Sequence, residues 1–315
     1  MARNAIIDPS IASLDIAADA ASFGRSLRAS NLSPRTVQSY LEAVDLFTRY
    51  LVEQGMPTQL SSIRREHVEA FIESLLQRFK ATTAVNRYAG LRAFFKWAVD
   101  EGEIKESPMA KMRKPKMEEH LTPVLTDDQV KAILAACKGD DFAARRDTAI
   151  VRLLLGTGAR LSEIAGLRWN PNDPTTHDVE LDQGIVRIMG KGRRERVVHM
   201  GAKAAKAMDR YERVRRQHPD ANSTRYWLGR HGPMTPSGIS QMLRDRGEQA
   251  GLPKLHAHMF RHRYAHAMLA AGHQETDVMV LAGWRSREML SRYARATRAD
   301  RALEASRRLN PADEF

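Results

Sequence analysis

Cysteine is nearly absent from this chain of 315 residues, which contains only Cys137. A single thiol excludes an internal disulfide framework and any zinc site built from several cysteines. Long apolar runs are also absent, because no stretch approaches the ~18 residues that a membrane-spanning helix needs. The first ten residues, MARNAIIDPS, lack the apolar block of a signal peptide. These absences predict a cytoplasmic protein without a membrane partner.

Acidic residues are fewer than basic ones, with 38 Asp and Glu against 50 Lys and Arg, which gives a formal net charge of +12. Such an excess favours a polyanionic partner, with nucleic acid first and a membrane surface second. No basic amphipathic stretch rich in Trp and Phe argues for the membrane. At ~150 residues per domain, the length predicts two domains.

Residues 21–106 contain three stretches with apolar residues at helical spacing, which predicts an all-helical N-terminal domain after a flexible segment over residues 1–20. Ser33 and Pro34 are residue types that begin a helix. Four basic side chains of this domain lie outside its apolar stripes: Arg35, Arg87, Arg92 and Lys96. They form either a solvated face or contacts to DNA, and both interpretations stay open at this point.

Residues 107–121 differ in composition, because prolines and a basic run that includes Lys114 interrupt the helical pattern. This predicts an extended basic linker. Helical periodicity returns over residues 122–297, beginning with Thr126 as a cap. Residues 184–200, GIVRIMGKGRRERVVHM, alternate apolar and polar around a Gly-Lys-Gly turn and predict a β-hairpin. The predicted fold class is therefore mainly α, with a helical N-terminal domain and an α-rich second domain that carries a small antiparallel sheet.

The segment AHMFRHRYAHAML places His258, His262 and His266 on one helical face, with Arg261 and Arg263 between them. A helical zinc site would need a carboxylate base as in H-E-x-x-H, and this segment has none. Fixed positive charge beside a divalent cation is also unfavourable. No metal site is predicted. His258 and Arg261, three residues apart, can instead donate to one phosphate, although they would look the same on a basic surface helix.

Three further segments favour the phosphate interpretation. LLLGTGARLSEIAGLRW places Arg160 just after a Gly-Thr-Gly break, with Glu163 three residues on to orient it. The tip of the predicted hairpin presents Lys191 between two glycines. LAGWRSREMLSRYARAT carries Tyr293 on a basic helix that follows a glycine-terminated one.

Together these segments resemble the tyrosine recombinase family, which includes the phage integrases and the Xer-type recombinases, from about residue 20 to the end of the chain. The family pattern T-G-x-R-x-x-E matches Thr157 to Glu163, H-x-x-R-H matches His258 to His262, and L-x-G-[H/W] matches Leu281 to Trp284. Lys191 matches the hairpin lysine and Tyr293 the family tyrosine. Two features depart from the commonest pattern. Trp284 stands where histidine is most frequent, and KLHAH lacks the usual Ser or Thr with Pro before the motif.

The resemblance implies that the hydroxyl of Tyr293 attacks a DNA phosphodiester and forms a 3′-phosphotyrosyl intermediate, with no metal, ATP or other cofactor. Arg160 and Arg261 would hold the non-bridging oxygens of that phosphate. His258 would be the base, Lys191 the acid, and Trp284 would complete the shell around the phosphate. Glu163 and His262 would hold Arg160 and the helix of His258 in position without contacting the phosphate.

The resemblance further implies a SAM-like core DNA-binding domain over residues 21–106, a catalytic domain over 122–297, and a tail over 298–315 that exchanges between subunits. The basic residues that would contact the DNA are Arg35, Arg87, Arg92 and Lys96 of the first domain and Lys114 of the linker. The expected partners are double-stranded DNA with short inverted repeats and three further copies of the chain, in a tetramer. The expected location is the cytoplasm, at the nucleoid. Two alternatives share the fold: a DNA-binding protein without strand exchange, and an enzyme that resembles type IB topoisomerases. A metallohydrolase is a third.

Overall fold

The computed structural model describes residues 15–117, 124–170, 172–173, 176–190 and 194–284. The chain divides into two compact units, residues 1–119 and 120–315. This division falls inside the segment 107–121 that the sequence predicts as a linker. The predicted exchange tail over residues 298–315 lies outside the described residues.

The described part of the N-terminal unit is built from α-helices and one short 3-10 turn. In chain order these elements are α1 (Asp15–Ala29), α2 (Pro34–Glu53), the 3-10 turn (Leu60–Ser62), α3 (Arg65–Arg78) and α4 (Ala81–Asp100). Helix α2 begins as its sequence predicts, because the Ser33 hydroxyl accepts a hydrogen bond from the Thr36 N–H at 3.2 Å and Pro34 takes the first position.

Helix α1 corrects the prediction of a flexible segment over residues 1–20 for residues 15–20, because the helix begins at Asp15, whereas residues 1–14 lie outside the described residues. Ile16, Ala20, Phe23 and Leu27 recur at helical spacing, and all four are buried in the core of the N-terminal unit. The Phe23 ring meets the Phe94 ring edge-on at a centroid distance of 5.4 Å. Burial of this apolar stripe orders the helix, and composition alone does not reveal that its partners are α2 and α4.

The first part of the predicted linker is also packed, and not extended throughout. Met109 is buried in the core of the N-terminal unit. The Tyr88 hydroxyl of α4 donates to the carbonyl of Met112 at 2.8 Å. The basic residues that follow, including Lys114, are exposed. The segment therefore joins the helical unit as far as Met112.

The described part of the C-terminal unit is mainly helical, with two small antiparallel sheets. Its helices are α5 (Asp127–Ala136), α6 (Phe142–Thr157), α7 (Leu161–Ala165), α8 (Ala202–Arg215), α9 (Pro236–Gln249), α10 (Ala257–Ala270) and α11 (Glu275–Ala282). Its strands are β1 (Val179–Glu180), β2 (Ile185–Met189), β3 (Glu195–His199), β4 (Leu228–Gly229) and β5 (Gly232–Pro233). The predicted fold class is confirmed.

The larger sheet is the predicted hairpin with one short strand added, in the order β1-β2-β3. Strands β2 and β3 pair from Ile185 opposite His199 to Met189 opposite Glu195. The side chains of Val186, Ile188 and Val198 are buried in the core of the unit. The alternation in the sequence therefore reports one buried and one exposed face.

Helix α6 lies in the centre of the C-terminal unit and packs against both α8 and α10. Cys137 is buried in the same core, where burial and the Asp147 charge raise the pKa of its thiol to about 12. A thiolate therefore does not form there at neutral pH. In the described parts of both units, no helix is long and apolar enough to cross a membrane.

Candidate active site

The C-terminal end of α6 forms one side of the site. Gly158 ends the helix with φ of 57°, a left-handed conformation that favours glycine. A Cβ at this position would lie 2.4 Å from Cδ1 of Tyr264, so the close approach of α10 also requires glycine. The chain then turns into α7, and Arg160 is the N-cap residue of that helix. Arg160 thus stands immediately before the helix, and not within its first turns.

Glu163 orients Arg160, as the spacing of the motif predicts. The Arg160 Nη1 group donates to Oε1 of Glu163 at 2.9 Å, and the Arg160 backbone N–H donates to Oε2 at 2.8 Å. The Glu163 side chain is only 3% exposed, whereas the Arg160 side chain is 34% exposed. The buried carboxylate therefore anchors an arginine whose guanidinium still reaches solvent.

Arg261 of α10 joins three parts of the site. Its Nη1 donates to the Gly158 carbonyl at 2.7 Å, and its Nη2 donates to the Ala282 carbonyl at 2.6 Å. The guanidinium lies 5.0 Å from the centre of the Trp284 ring, within the range of a cation–π contact. The side chain is among the largest fully buried ones in the described chain. Its planar donor fork therefore ties the ends of α6 and α11 to α10.

The two arginines meet at the C-terminal end of α11. Arg160 Nη2 donates to the Gly283 carbonyl at 3.1 Å, next to the Ala282 carbonyl that Arg261 binds. Gly283 closes α11 in the left-handed conformation with φ of 64°. Carbonyls at the end of a helix lack partners within the helix and carry the negative end of its dipole. Two neighbouring carbonyls therefore hold two positive charges close together.

Arg196 is a site residue that the sequence analysis missed. It lies on β3, donates to both carboxylate oxygens of Glu163 at 3.1 and 2.7 Å, and donates to the Leu281 carbonyl at 3.0 Å. A signal for it exists, since Arg196 shares a strand face with the buried Val198. A charged residue at an inward-facing position of a strand requires a buried partner.

Glu163 is thus held by two arginines, and its pKa is lowered from the ordinary value. Burial by itself would raise that pKa, but the hydrogen bond from Arg196, the backbone hydrogen bond from Arg160 and the Arg196 charge together outweigh it. The carboxylate is therefore ionised at neutral pH.

His258 and His262 lie one turn apart on α10, with their rings edge to face at 5.0 Å. His258 is exposed, yet partial desolvation and the charges of Arg261, His256 and Arg160 lower its pKa below 6.5. His262 is buried, and desolvation together with the neighbouring histidines and Arg261 lowers its pKa to about 4. Both rings are therefore neutral at pH 7.

Lowering the pH from 6.5 to 4 is expected to destabilise the C-terminal unit through His262. Its pKa in the folded chain, about 4, lies below the ordinary 6.5, so the unfolded chain binds the proton more tightly across this window. Stability is therefore lost as the pH falls, by up to about 3 kcal/mol. Thermal denaturation of His262→Gln should depend less steeply on pH than that of the wild-type chain. His231→Gln, at an exposed turn, is the control, and equal slopes for all three chains would contradict the assignment.

Two predicted residues, Lys191 and Tyr293, lie outside the described residues. The strands on either side of Lys191 are described, and their last pair is Met189 with Glu195. Trp284 is the last described residue before Tyr293, and it is buried beside Arg261. No group of three or more His, Cys, Asp or Glu side chains is arranged to hold a metal ion in the described ranges.

Among the basic residues predicted to contact DNA, Arg87 differs from the others. It donates to the Ser39 carbonyl at 3.2 Å and to the Glu42 carboxylate at 3.1 Å, which joins α4 to α2. Its guanidinium is thus engaged within the domain, and its role as a DNA contact stays a prediction. The remaining four side chains are exposed: Arg35, Arg92, Lys96 and Lys114.

Comparison with known proteins places this site in a family. Residues 123–300 match the model of the phage integrase family, and residues 21–102 match that of the phage integrase N-terminal SAM-like domain. The chain therefore belongs to the phage integrase family. Tyrosine recombinase XerD of Shewanella oneidensis is 31% identical over 282 residues, which cover 85% of this chain and 88% of XerD. The predicted resemblance to the tyrosine recombinases is thereby confirmed, and the chain is an enzyme of that class.

Solved structures show the same fold. XerH recombinase, bound to a palindromic difH substrate in a post-cleavage complex, is 16% identical with a TM-score of 0.71, and the match covers 97% of this chain and 91% of XerH. A lambda integrase tetramer bound to a Holliday junction is 17% identical with a TM-score of 0.67, covering 89% of this chain and 80% of the integrase.

Proposed function

We propose that this chain is a site-specific recombinase that cleaves and rejoins double-stranded DNA through a 3′-phosphotyrosyl intermediate on Tyr293, without metal or ATP. The observation that carries the proposal is the convergence of Arg160 and Arg261 on the neighbouring carbonyls of Gly283 and Ala282. Two arginines held side by side on a rigid frame suit one phosphate group, because each guanidinium presents a planar fork of donors.

The chemistry follows from the charge of the reacting phosphate. Attack on a phosphodiester gives a five-coordinate phosphorus whose non-bridging oxygens gain negative charge. Arg160 and Arg261 would stabilise these oxygens, and their carbonyl and carboxylate partners keep the donors in place before the DNA arrives. Preorganised charge of this kind is commonly the largest single contribution to catalysis.

Proton transfer is the second requirement. The Tyr293 hydroxyl, with an ordinary pKa near ~10, needs a base in order to attack at neutral pH. His258 suits this task, because its ring is exposed and its pKa is lowered, which leaves it neutral and able to accept a proton. The leaving 5′-oxygen needs an acid, a role that we assign to Lys191. Trp284 lacks an ionisable proton near neutral pH and would pack beside the phosphate and donate one hydrogen bond.

Exposed basic residues of the N-terminal domain would contact the backbone of the DNA substrate. Arg92 and Lys96 lie one turn apart on α4, and Arg35 lies at the start of α2. Lys114 would add a contact from the linker. We propose short inverted repeats as the substrate and a tetramer as the active assembly, in line with the complexes described for XerH and lambda integrase.

The test is incubation of the full chain, in EDTA, with labelled duplexes from the DNA beside its own gene, each nicked near a candidate repeat. We expect an adduct that survives a denaturing gel, and mass spectrometry of its digest should locate the DNA on the peptide that contains Tyr293. The same duplexes with scrambled repeats are the control. Salt-sensitive binding without any adduct would favour a DNA-binding protein of the same fold. Relaxation of supercoiled plasmid without strand exchange would favour a topoisomerase-like enzyme, and loss of the adduct in EDTA a metal-dependent one.

The rate of adduct formation should report the pKa of His258. Because its pKa is lowered in the folded chain, the acid limb of kcat/KM for cleavage is expected to have its midpoint below the ordinary histidine value of 6.5. His258→Gln should lose about 10²- to 10⁴-fold in rate and should also lose this acid limb. An acid limb that persists unchanged in the variant would assign the base to another group.

A further inference from the structure

A basic groove lies between α5, α6 and α8 and contains no residue of the candidate active site. It has a volume of about 480 Å³, and we call it the α6–α8 groove. Among the described residues that line it, none is acidic or aromatic, and six are basic: Lys138, Arg145, Arg152, Lys203, Lys206 and Arg210. The proposed cleavage reaction uses none of these six residues.

The basic residues form two rows. Arg145 and Arg152 lie seven residues apart on α6. Thr148 lies between them on the same helical face. Lys203, Lys206 and Arg210 follow the same spacing of three and then four residues on α8. Because α6 and α8 pack against each other and all these residues line one groove, the two rows flank it on either side.

The positive charge of the groove is largely unbalanced. Arg145 lies 3.6 Å from Asp140, whose side chain is fully exposed. The other five basic residues form no ion pair with a carboxylate in the described part of the chain. By contrast, Arg213 and Arg216, on and just after α8 but outside the groove, pair with Asp209 and Glu212. Like charges a few ångströms apart destabilise a fold, and a bound polyanion would remove that cost.

The groove favours the backbone of a nucleic-acid duplex over other polyanions. Proteins that hold single strands stack the bases on aromatic side chains, and the described lining of this groove has none. Flexible lysines and arginines in rows are typical of sequence-independent phosphate contacts. Seven residues of α6 span ~10 Å, at ~1.5 Å per residue. Three nucleotide steps advance a DNA strand by about the same distance along the duplex axis, at ~3.4 Å per step.

We propose that the α6–α8 groove binds the phosphate backbone of a second DNA segment, distinct from the segment whose phosphate occupies the candidate active site. The described residues of that site belong to α7, β3, α10 and α11 and to their adjoining turns. Helix α6 contributes to it only the Gly158 carbonyl at its C-terminal end. One chain would then hold two duplexes through separate surfaces, without reading the sequence of the second. The binding requires none of the chemistry of Tyr293.

The test compares two triple variants that lose equal charge. The groove variant carries Lys203→Gln, Lys206→Gln and Arg210→Gln. The control carries Lys131→Gln, Arg213→Gln and Arg216→Gln, whose wild-type side chains are 76%, 71% and 68% exposed and pair with carboxylates outside the groove. Each full-length protein is bound to an immobilised duplex from beside its gene, and capture of a second, labelled duplex of unrelated sequence is measured against salt.

We expect the wild-type and control proteins to capture the second duplex, and the groove variant to capture it at least about tenfold more weakly. The slope of log affinity against log salt should fall by about 2 to 3 in the groove variant, because each phosphate that a basic side chain neutralises adds ~0.9 to that slope. Adduct formation on the nicked duplex should not change in the groove variant. Duplex capture therefore tests the groove, and adduct formation separately tests the proposed function. The groove variant should melt no lower than the wild-type chain, because it removes repulsion.

Three results would overturn the proposal. Capture by the groove variant at the wild-type level would exclude the groove as the binding surface. Equal losses in both triple variants would mean that net charge, and not this groove, attracts the second duplex. Capture of a labelled acidic polypeptide by the wild-type protein, without capture of the second duplex, would identify a protein partner instead.

Discussion

Replacing Arg261 with lysine is expected to lower the rate of DNA cleavage by about 10²- to 10³-fold, the typical cost of one lost donor to a developing oxyanion. Lysine keeps the positive charge, so charge loss cannot explain the result. Its compact ammonium group cannot reproduce a planar fork that donates to the Gly158 and Ala282 carbonyls from different nitrogens. The loss should fall on the chemical step, measured in single turnover with saturating protein.

The geometry explains why this arginine should matter more than its neighbours. Arg261 connects the C-terminal end of α6 to the C-terminal end of α11, and it lies over Trp284. Without the fork, the two helix ends lose their common anchor, and the carbonyl that Arg160 holds lies next to the one released. A lysine variant should therefore disturb both arginine positions at once.

Arg263→Lys is the matched control, two residues away on the same helix. Arg263 contacts the Leu125 carbonyl and the Asp127 carboxylate at the start of α5, outside the candidate site. We expect its cleavage rate to stay within a few-fold of wild type. An Arg261→Lys protein that melts normally and cleaves at the wild-type rate would exclude Arg261 from the phosphate site.

Replacing Glu163 with glutamine is expected to reduce the free energy of unfolding by about 3 to 5 kcal/mol, as is typical when one partner of a buried ion pair is removed. The amide has nearly the same shape but no charge, and it leaves Arg160 and Arg196 without their shared counterion. Cleavage should also slow, because Arg160 loses the group that orients it. Urea denaturation and single-turnover cleavage measure the two effects separately.

The pH dependence of this contribution has a defined sign. The folded pKa of Glu163 is lowered from the ordinary 4.5, so the unfolded chain takes up the proton first as the pH falls. The stabilisation is present above pH 4.5 and is lost on acidification through the folded pKa. The glutamine variant should lack this loss.

A double-mutant cycle with Arg196→Gln tests whether the carboxylate acts through both arginines. In the Glu163→Gln background, the Arg196 substitution should cost about 1 to 3 kcal/mol less than in the wild-type chain, because the pair is already broken. Asp128→Asn is the control: that carboxylate is 91% exposed and pairs with Lys131, so its loss should be worth less than about 1 kcal/mol. If the losses of unfolding free energy caused by the two substitutions are strictly additive, the contact between Glu163 and Arg196 contributes nothing to stability.

Local features were predictable from the sequence, because the physical cause lies within a few residues. Ser33 and Thr126 begin helices by hydrogen bonds to residues three positions on. Glu163 orients Arg160 across the same short distance. The alternation in residues 184–200 predicts the hairpin because strand side chains alternate between two faces. The family motifs are equally local, and the comparisons confirm the family that they indicate.

Contacts between residues far apart in the chain could be known only from the tertiary structure. The start of α1 at Asp15 depends on an apolar stripe that packs onto α2 and α4, and the pairing of Arg87 with Glu42 joins residues 45 positions apart. The bond from Arg160 to the Gly283 carbonyl spans 123 positions, and that from Arg196 to Glu163 spans 33. A sequence states which side chains are charged, but the partner of a buried charge is chosen by packing between elements far apart in the chain. The amino-acid order therefore determined the class of chemistry, and the fold decided which arginines share one carboxylate and which basic rows flank a groove.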